Sequence, residues 1–233
     1  MIELDGIKVI SFDCYGTLID WETGLLDVLK LILGQHGVEL DDTEILEKFA
    51  EFESEEEKKS YRSYRKVLHS VMQQFGMKYG FFLDKSEENA IVDSIQMWQP
   101  FDDTVVSLQA LQKKYKLSII TNIDNDLFAG TFMSLGVNFE QIITSENVKS
   151  YKPDIKNFEF ALENIGVTKD ELLHVSVSLY HDIMPAESIG VKTVWINRRH
   201  GKEGSGATPR VLKKPDYEFP DLKTFVIGAG IEL

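Results

Sequence analysis

The chain has 233 residues, 43% of them hydrophobic and 27% charged, which leaves room for one large folded core or a core with a smaller insert. A formal net charge of −13 gives a surface that repels nucleic acid and anionic membranes, so an anionic substrate needs positive charge built locally at its site. No apolar run approaches the ~18 residues that cross a bilayer. The first residues, "MIELDGIKVISF", show neither a basic n-region nor a cleavage site, so no signal peptide is expected. Cys14 is the only cysteine, which excludes an intrachain disulfide and suits a reducing, cytoplasmic setting.

Residues 7–13 form a continuous apolar run, the pattern of a strand buried on both faces of a parallel sheet. From about Glu22 to Trp98 the periodicity is helical throughout. "TGLLDVLKLILGQHG" has helical spacing, with Gly37 placed to end it. "TEILEKFAEFESEEEKKSYRSYRKVLHSVMQQFG" predicts a long, charged helical stretch, and "SEENAIVDSIQMWQ" opens on Ser86 as an N-cap. After "QPFDDT" helices and strands alternate. "TVVSLQALQKKY" reads as helix, "KLSIITN" as strand, "DNDLFAGTFMSLG" as helix and "FEQIITS" as strand. Then come the helix "PDIKNFEFALENIG", the strand "LLHVSV", the helix "HDIMPAESIG" and the strand "KTVWIN". "ATPRVLKKPD" is a basic loop, and "DYEF" a short last strand. The fold class is therefore α/β, a Rossmann-like parallel-sheet core with helices on both faces. The core takes residues 1–20 and 99–233, and an all-helical insert takes residues 21–98.

Ligands of an open parallel sheet bind beyond the carboxyl ends of its strands. The residues that follow these strands are Asp13; Thr121 and Asn122; Ser145 and then Lys152 in "SYKPD"; Ser176 and Ser178 leading to Asp182; and Asn197, Arg198 and Arg199. One edge thus collects an acid, a hydroxyl, an amide, an ammonium and a second acid. Taken singly, each is as ordinary as an Asx turn or a helix cap; in this order they form a pattern.

That pattern resembles the haloacid dehalogenase superfamily. "FDCYGTL", "IITN", "YKPD" and "SVSLYHD" are similar to its four motifs, in order and each at a strand end. The resemblance implies that Asp13 is a nucleophile, with Thr121, Lys152 and Asp182 around it, and that the helical insert is a cap domain. Phosphatase members carry a second Asp two residues after the nucleophile and hold Mg²⁺. Here that position is Tyr15, as in the 2-haloacid dehalogenase branch, and the acid that opens the fourth motif is replaced by Val177. Asp13, the Tyr15 backbone and Asp182 are a thin oxygen set for Mg²⁺, so no cofactor is expected; a Mg²⁺ phosphatase is the alternative.

Two positions depart from the dehalogenase branch. "QHGVELDD" lacks its cap Arg, and Phe158 stands where that branch has Tyr. "DCYGTLIDWETG", "SLYHD" and "RRHGKEGSGAT" resemble a sub-branch that includes an azetidine-2-carboxylate hydrolase, which implies an amine leaving group rather than a halide.

The resemblance then assigns roles. Asp13 attacks carbon and forms an ester, Lys152 supplies positive charge, and Asp182 holds Lys152 and orients water, although it also reads as the N-cap of "IMPAESIG". Thr17, Thr121 and Asn122 offer hydrogen bonds to carboxylates; Tyr15 and Trp21 line the pocket; Ser176 and Ser178 position water or bond the backbone. Cys14 reads as a small buried hydrophobe and His181 as a surface histidine. Arg198, Arg199, His200 and Lys202 form a basic loop that attracts an anion or is simply solvated. "ESEEEKKSYRSYRK" reads as a solvated helix face. The expected partner is a small anionic carboxylate substrate, with no nucleic acid and no membrane; monomer and homodimer stay open. A core that has lost its chemistry and only binds is a third possibility, opposed by the retention of Asp13 and Lys152, charges costly to bury.

Overall fold

A computed structural model describes residues 2–233. Its centre is β1 (Val9–Phe12), which is buried along its whole length. β2 (Lys116–Thr121), β3 (Gln141–Thr144), β4 (Leu172–Ser176), β5 (Lys192–Ile196) and β6 (Glu218–Phe219) complete a sheet of order β3-β2-β1-β4-β5-β6, with every pairing parallel. This is the expected α/β fold, and the short "EF" of the last strand is β6. A parallel sheet must be covered on both faces, which is why its strands are unbroken apolar runs. From β1 the chain proceeds outward through β2 and β3, then returns to place β4 on the other side of β1. The switch in direction opens a crevice at the carboxyl ends of β1 and its neighbours. Phe12 pairs with both Ile119 and Val175, so the residues just beyond these strands lie side by side.

Between β1 and β2 the chain forms α1 (Trp21–Gln35), α2 (Asp42–Glu57), α3 (Tyr64–Tyr79), α4 (Lys85–Ser94), a 3₁₀ turn at Ile95–Met97 and α5 (Thr104–Gln112). Asp41 and Glu44 make a capping box at the start of α2, and Ile45, Leu46, Phe49 and Phe52 form its buried stripe. The long helical stretch expected over 43–76 is in fact two helices, α2 and α3, separated by residues 58–63. The break has a physical cause outside the segment: Asp124 accepts from Tyr64 N at 2.8 Å and Arg65 N at 2.9 Å, so a distant carboxylate satisfies the first amides of α3. The N-cap expected at Ser86 belongs to Asp84, which accepts from the amides of both Ser86 and Glu87.

The helical segment joins the rest through a narrow stem. Asp20 N donates to Gln99 O at 2.9 Å, and Ile19 forms an antiparallel bridge with Pro100. Trp98 leaves the segment packed against Gly24 of α1, where an added Cβ would lie 2.3 Å from the indole. Trp21 meets Phe49 edge-on at 5.8 Å and Tyr15 meets Trp98 at 5.9 Å, which ties the first turn after β1 to the helices.

The remaining helices are α6 (Asn125–Phe132), α7 (Ser145–Val148), α8 (Lys156–Ile165), α9 (Met184–Ser188) and α10 (Leu222–Gly228), with a π turn at Leu179–Ile183 before α9. α7 and α10 are short and were not read from the sequence. Asp221 caps α10 at Thr224 N, and Asp103 accepts from the next free amides, those of Leu222 and Lys223. No helix among the described residues is long and apolar enough to cross a membrane.

Candidate active site

Asp13 is the first residue beyond β1, and its amide still donates to Val175 O at 3.1 Å, which fixes its backbone between strands. The chain then turns tightly. Leu18 N and Ile19 N both reach Cys14 O, and Gly16 N reaches Ile19 O at 2.8 Å. Gly16 has φ +88°, and an added Cβ would lie 2.7 Å from the Trp21 indole nitrogen, so glycine is required twice over. Thr17 donates its hydroxyl to Asp13 Oδ2 at 2.8 Å and accepts from Val177 N at 3.0 Å. Arg198 donates to Thr17 O and to Asp103, and its guanidinium lies over the Phe101 ring. The turn is thus clamped from two sides.

Lys152 arrives from the loop after α7 and is buried to 1% exposure. Its three N–H groups go to Asp13 Oδ1 at 2.9 Å, Asp182 Oδ1 at 2.7 Å and Ile120 O at 2.9 Å. Asn122 grips its backbone, accepting from Lys152 N at 2.8 Å and donating to Lys152 O at 3.0 Å. Asp182 Oδ1 also receives His174 Nε2 at 2.8 Å, and His174 Nδ1 lies 2.8 Å from Ser11 Oγ. Ser11 and His174 are cross-strand partners on β1 and β4, so a row of polar groups runs under the site inside an apolar sheet.

These contacts set the charges. Burial works against ionised Asp182, but Lys152 and His174 outweigh it and hold the carboxyl well below the usual carboxylate range. Burial likewise opposes charged Lys152, yet Asp13 and Asp182 push it up to about 12. Asp13 differs. Burial pushes its carboxyl above the ordinary range; Lys152 pulls it back in part and Asp182 adds to the push. One ammonium therefore sits between a firmly anionic acid and a poised one.

The opposite wall comes from the helices. Tyr64, at the start of α3, donates to Glu53 Oε1 on α2 at 2.5 Å. Burial, with Glu57 beside it, pushes Glu53 well above the carboxylate range. Glu57, one turn along α2, accepts from Asn122 through Oε1 at 3.1 Å. Its Oε2 has no hydrogen-bond partner and lies 3.5 Å from His181 Nε2, which has none either. Asp182 Oδ2 is buried and likewise unpartnered.

The walls enclose a cavity of about 40 Å³ that touches Asp13, Tyr15, Trp21, Glu53, Glu57, Tyr64, Thr121, Asn122, Lys152, Ser178, His181 and Asp182. That is room for two or three waters at roughly 15 Å³ each. A larger cleft of about 790 Å³ lies alongside and shares Trp21, Val177 and Thr208 with it, but none of Asp13, Lys152 and Asp182 lines it. The chemistry-bearing groups belong to the small cavity.

Of the residues singled out in the sequence, the structure brings Asp13, Tyr15, Trp21, Thr121, Asn122, Lys152, Ser178 and Asp182 to this cavity. Tyr15 presents its ring while its hydroxyl bonds Thr131 at 2.8 Å. Thr17 is fully buried behind Asp13 and bonds its carboxylate rather than lining the space. Ser176 does not reach it; its hydroxyl accepts from Ser178 N. Ser178 turns its hydroxyl to His181, accepting from the backbone amide and facing Nδ1 at 3.2 Å. Asp182 is no N-cap, since it lies within the π turn that Ser178 caps. His181 is not a surface residue: it is 8% exposed and faces the cavity. The basic loop is committed in part, Arg198 to Asp103 and Arg199 to Glu22. Cys14 is fully buried.

Four contributors escaped the sequence reading, which took the run "ESEEEKKSYRSYRK" for a solvated face: His174, Glu53, Glu57 and Tyr64. His174 left a trace as a lone polar residue between Leu173 and Val175 in an apolar strand. Glu53 left another by continuing, at four-residue spacing, the buried row of Ile45 and Phe49.

The donor set does not fit Mg²⁺. The Lys152 ammonium stands between the two carboxylates that would bind it, Val177 takes the place of a third, and no group of three or more His, Cys, Asp or Glu among the described residues could hold a metal ion.

Known proteins share this fold and match this sequence over most of its length. The chain is 26% identical over 210 residues to (S)-2-haloacid dehalogenase 1 of Pseudomonas sp. (strain CBS-3), covering 84% of this chain and 86% of that one. The L-2-haloacid dehalogenase of Xanthobacter autotrophicus, solved with chloropropionic acid covalently bound, superimposes with a TM-score of 0.75 at 18% identity, over 95% and 98% of the two chains. A HAD-hydrolase from Bacillus subtilis bound to magnesium gives 0.78 at 20% identity, over 97% and 99%. The model of the haloacid dehalogenase-like hydrolase family matches residues 10–196, a span that holds Asp13, Lys152 and Asp182 together. The family model covers most of the chain and includes the crevice where a strand-end carboxylate, a buried lysine and a second acid meet: the chain is an enzyme of the haloacid dehalogenase-like hydrolase family.

Proposed function

We propose that this enzyme hydrolyses a small 2-substituted carboxylic acid through an ester on Asp13, without a metal. One observation carries the reading: the Lys152 ammonium binds Asp13 and Asp182 together, while the residue two places after Asp13 is Tyr15, with its hydroxyl tied to Thr131. Phosphoryl transfer calls for an acid to protonate the leaving oxygen. Burial keeps the Tyr15 hydroxyl far above its ordinary range, a poor proton donor and no carboxylate. Attack on carbon needs only an anionic nucleophile and an exit for the substituent.

In the first step an Asp13 oxygen bonds the carbon next to the substrate carboxylate, and the bond to the substituent breaks with its electron pair leaving on the substituent. In the second, water adds to the Asp13 carbonyl carbon, the ester C–O bond breaks, and the hydroxy acid departs. Asp182 Oδ2, buried and unpartnered, can accept a hydrogen bond from that water and orient it, and the water's proton ends on the departing oxygen, which leaves as the hydroxyl of the hydroxy acid. The names of the Pseudomonas and Xanthobacter enzymes support a 2-haloacid; an amine is the other leaving group in view. A magnesium-dependent phosphatase competes poorly, for the reasons Tyr15 and Val177 give. Loss of chemistry altogether, leaving a binding protein, is opposed by the intact charge network. The helical residues 21–98 serve as a cap over the core formed by 1–20 and 99–233. With room for only two or three waters, the site opens by movement of that cap about its stem. The single buried thiol favours a cytoplasmic location.

The test is a single turnover in ¹⁸O water with enzyme in excess. The hydroxy acid should carry ordinary oxygen, and the peptide containing Asp13 should gain the label. Labelled product with an unlabelled peptide would mean that water attacks the substrate directly and that Asp13 is no nucleophile.

A further inference from the structure

We infer that His181 carries the proton of ester hydrolysis, its Nε2 taking that proton from the attacking water and returning it to the departing oxygen. This role presupposes the Asp13 ester proposed above and adds the group that moves its proton.

Water attacks an ester well only when a base accepts its proton, and the hydroxy acid leaves well only when its oxygen regains one. The acids of the core wall and Glu53 are ill suited to both duties. Asp13 is the group under attack. Asp182 is held firmly anionic by Lys152 and His174, so it orients water better than it takes a proton. Burial pushes Glu53 well above the carboxylate range, so it keeps a proton of its own.

Two histidines lie at the site, and they differ. His174 has both nitrogens engaged, by Ser11 and by Asp182. His181 has one engaged: Ser178 Oγ lies 3.2 Å from Nδ1 and accepts from the His181 amide at 3.0 Å. A proton on Nδ1 suits that contact and leaves a lone pair on Nε2. This atom is buried, has no hydrogen-bond partner and belongs to a residue that lines the same cavity as Asp13. In a space for two or three waters, a water on Asp13 reaches Nε2 directly or through a second water. Imidazole in general both accepts and returns a proton near neutral pH.

The surroundings hold the ring for this task. Tyr180 meets it edge-on at 4.8 Å. Glu57 Oε2 stands 3.5 Å from Nε2 and is itself without a hydrogen-bond partner. Two bare acceptors side by side leave a place for one hydrogen, and once Nε2 is protonated the Glu57 carboxylate faces an imidazolium. Asn122 fixes Glu57 by its other oxygen. His181 and Asp182 share the π turn at Leu179–Ile183, a rare widening that recurs at functional sites.

The water oxygen adds to the Asp13 carbonyl carbon as one of its hydrogens passes to Nε2. The ester C–O bond then breaks with its electron pair going to the departing oxygen, and Nε2 gives its proton to that oxygen. His181 ends neutral, and the second hydrogen of the water remains on the Asp13 carboxyl until solvent takes it.

The test uses full-length His181→Asn, whose amide stands about where Nδ1 does and keeps a partner for Ser178 while Nε2 is gone. With (S)-2-chloropropionate, ester formation should stay within about threefold of the parent, whereas ester hydrolysis should slow about a hundredfold or more. After rapid quenching, mass spectrometry should therefore find a propionate adduct on the Asp13 peptide well above the level in the parent. Should that protein fail to fold, His181→Gln, whose amide takes up no proton, should accumulate the adduct in the same way. Equal slowing of both steps, or no build-up of the adduct, would overturn the assignment. An Asp13 peptide that gains no ¹⁸O in the parent would overturn the ester itself, so the two failures are told apart. Without any substrate, ¹⁵N NMR of the free parent should find neutral His181 protonated on Nδ1; a proton on Nε2 would overturn the assignment too.

Discussion

On the core wall of the cavity every donor of Lys152 has an acceptor, Asp182 is steadied by His174, and His174 is steadied by Ser11. Across the cavity, Glu57 Oε2 on the helical wall lies 3.5 Å from His181 Nε2 on the core side, with no hydrogen bond between them. Both walls are buried, so exposure does not explain the difference. The network around Lys152 is closed before any ligand arrives; Asp182 Oδ2 and His181 Nε2 on the core side and Glu57 Oε2 on the helical side are left without a hydrogen-bond partner. The closed network around Lys152 is the part of the site that an engineer should leave alone.

The largest effect should follow from Asp13→Asn, which removes the group that the core wall exists to hold. kcat/KM should fall by about four powers of ten or more, as steady-state kinetics would show. Melting temperature should stay level or rise. The folded-state pKa of Asp13 is raised, so its contribution to stability belongs to the protonated form and is lost as pH rises; at neutral pH ionised Asp13 works against folding, and Asn does not ionise.

Asp182→Asn sharpens the contrast within that wall. Asp182 is depressed in the folded state, so its stabilisation is present above the unfolded carboxylate value and fades as pH falls toward the folded one. Removing the charge should cost about 3 kcal/mol in a denaturant titration at neutral pH, and the variant should lose less stability than the parent on acidification. If Asp13→Asn proved the more destabilising of the two, the distinction between a poised acid and an anchored one would be wrong.

A smaller effect is expected from Gly24→Ala in the helical segment. Its methyl would press on the Trp98 ring, which closes the stem, and should cost about 2 kcal/mol through overpacking. Because Gly24 touches neither wall, the ratio of rates on two substrates should hold even as the melting temperature drops.

The sheet was legible because a buried parallel strand leaves a blunt mark, four to six apolar residues ending in a turn. Asp13, Lys152 and Asp182 were legible because each follows such a mark in order. The helical wall was not. Glu53 and Glu57 lie in "FESEEEKK", where a carboxylate turned inward and one turned to water look alike in composition, and only their spacing from Phe49 separates them. The break before α3 had no local signal, since the cap is Asp124 from beyond β2. His181 adjoins Asp182 in sequence, but nothing local marks that it lies 3.5 Å from Glu57 of the helical wall.

The stem has one more consequence. Residues 19 and 100 are bridged, so the two ends of the helical insert leave the core as neighbouring strands do, about 5 Å apart. For the core, eighty intervening residues are thermodynamically close to a single tight loop, because their ends are held together by the core's own hydrogen bonds and the closure penalty grows only logarithmically with length. Changes of length within the helices should therefore cost the sheet little in loop-closure entropy. The insert can vary in sequence and length while the sheet that carries Asp13 and Lys152 stays the same.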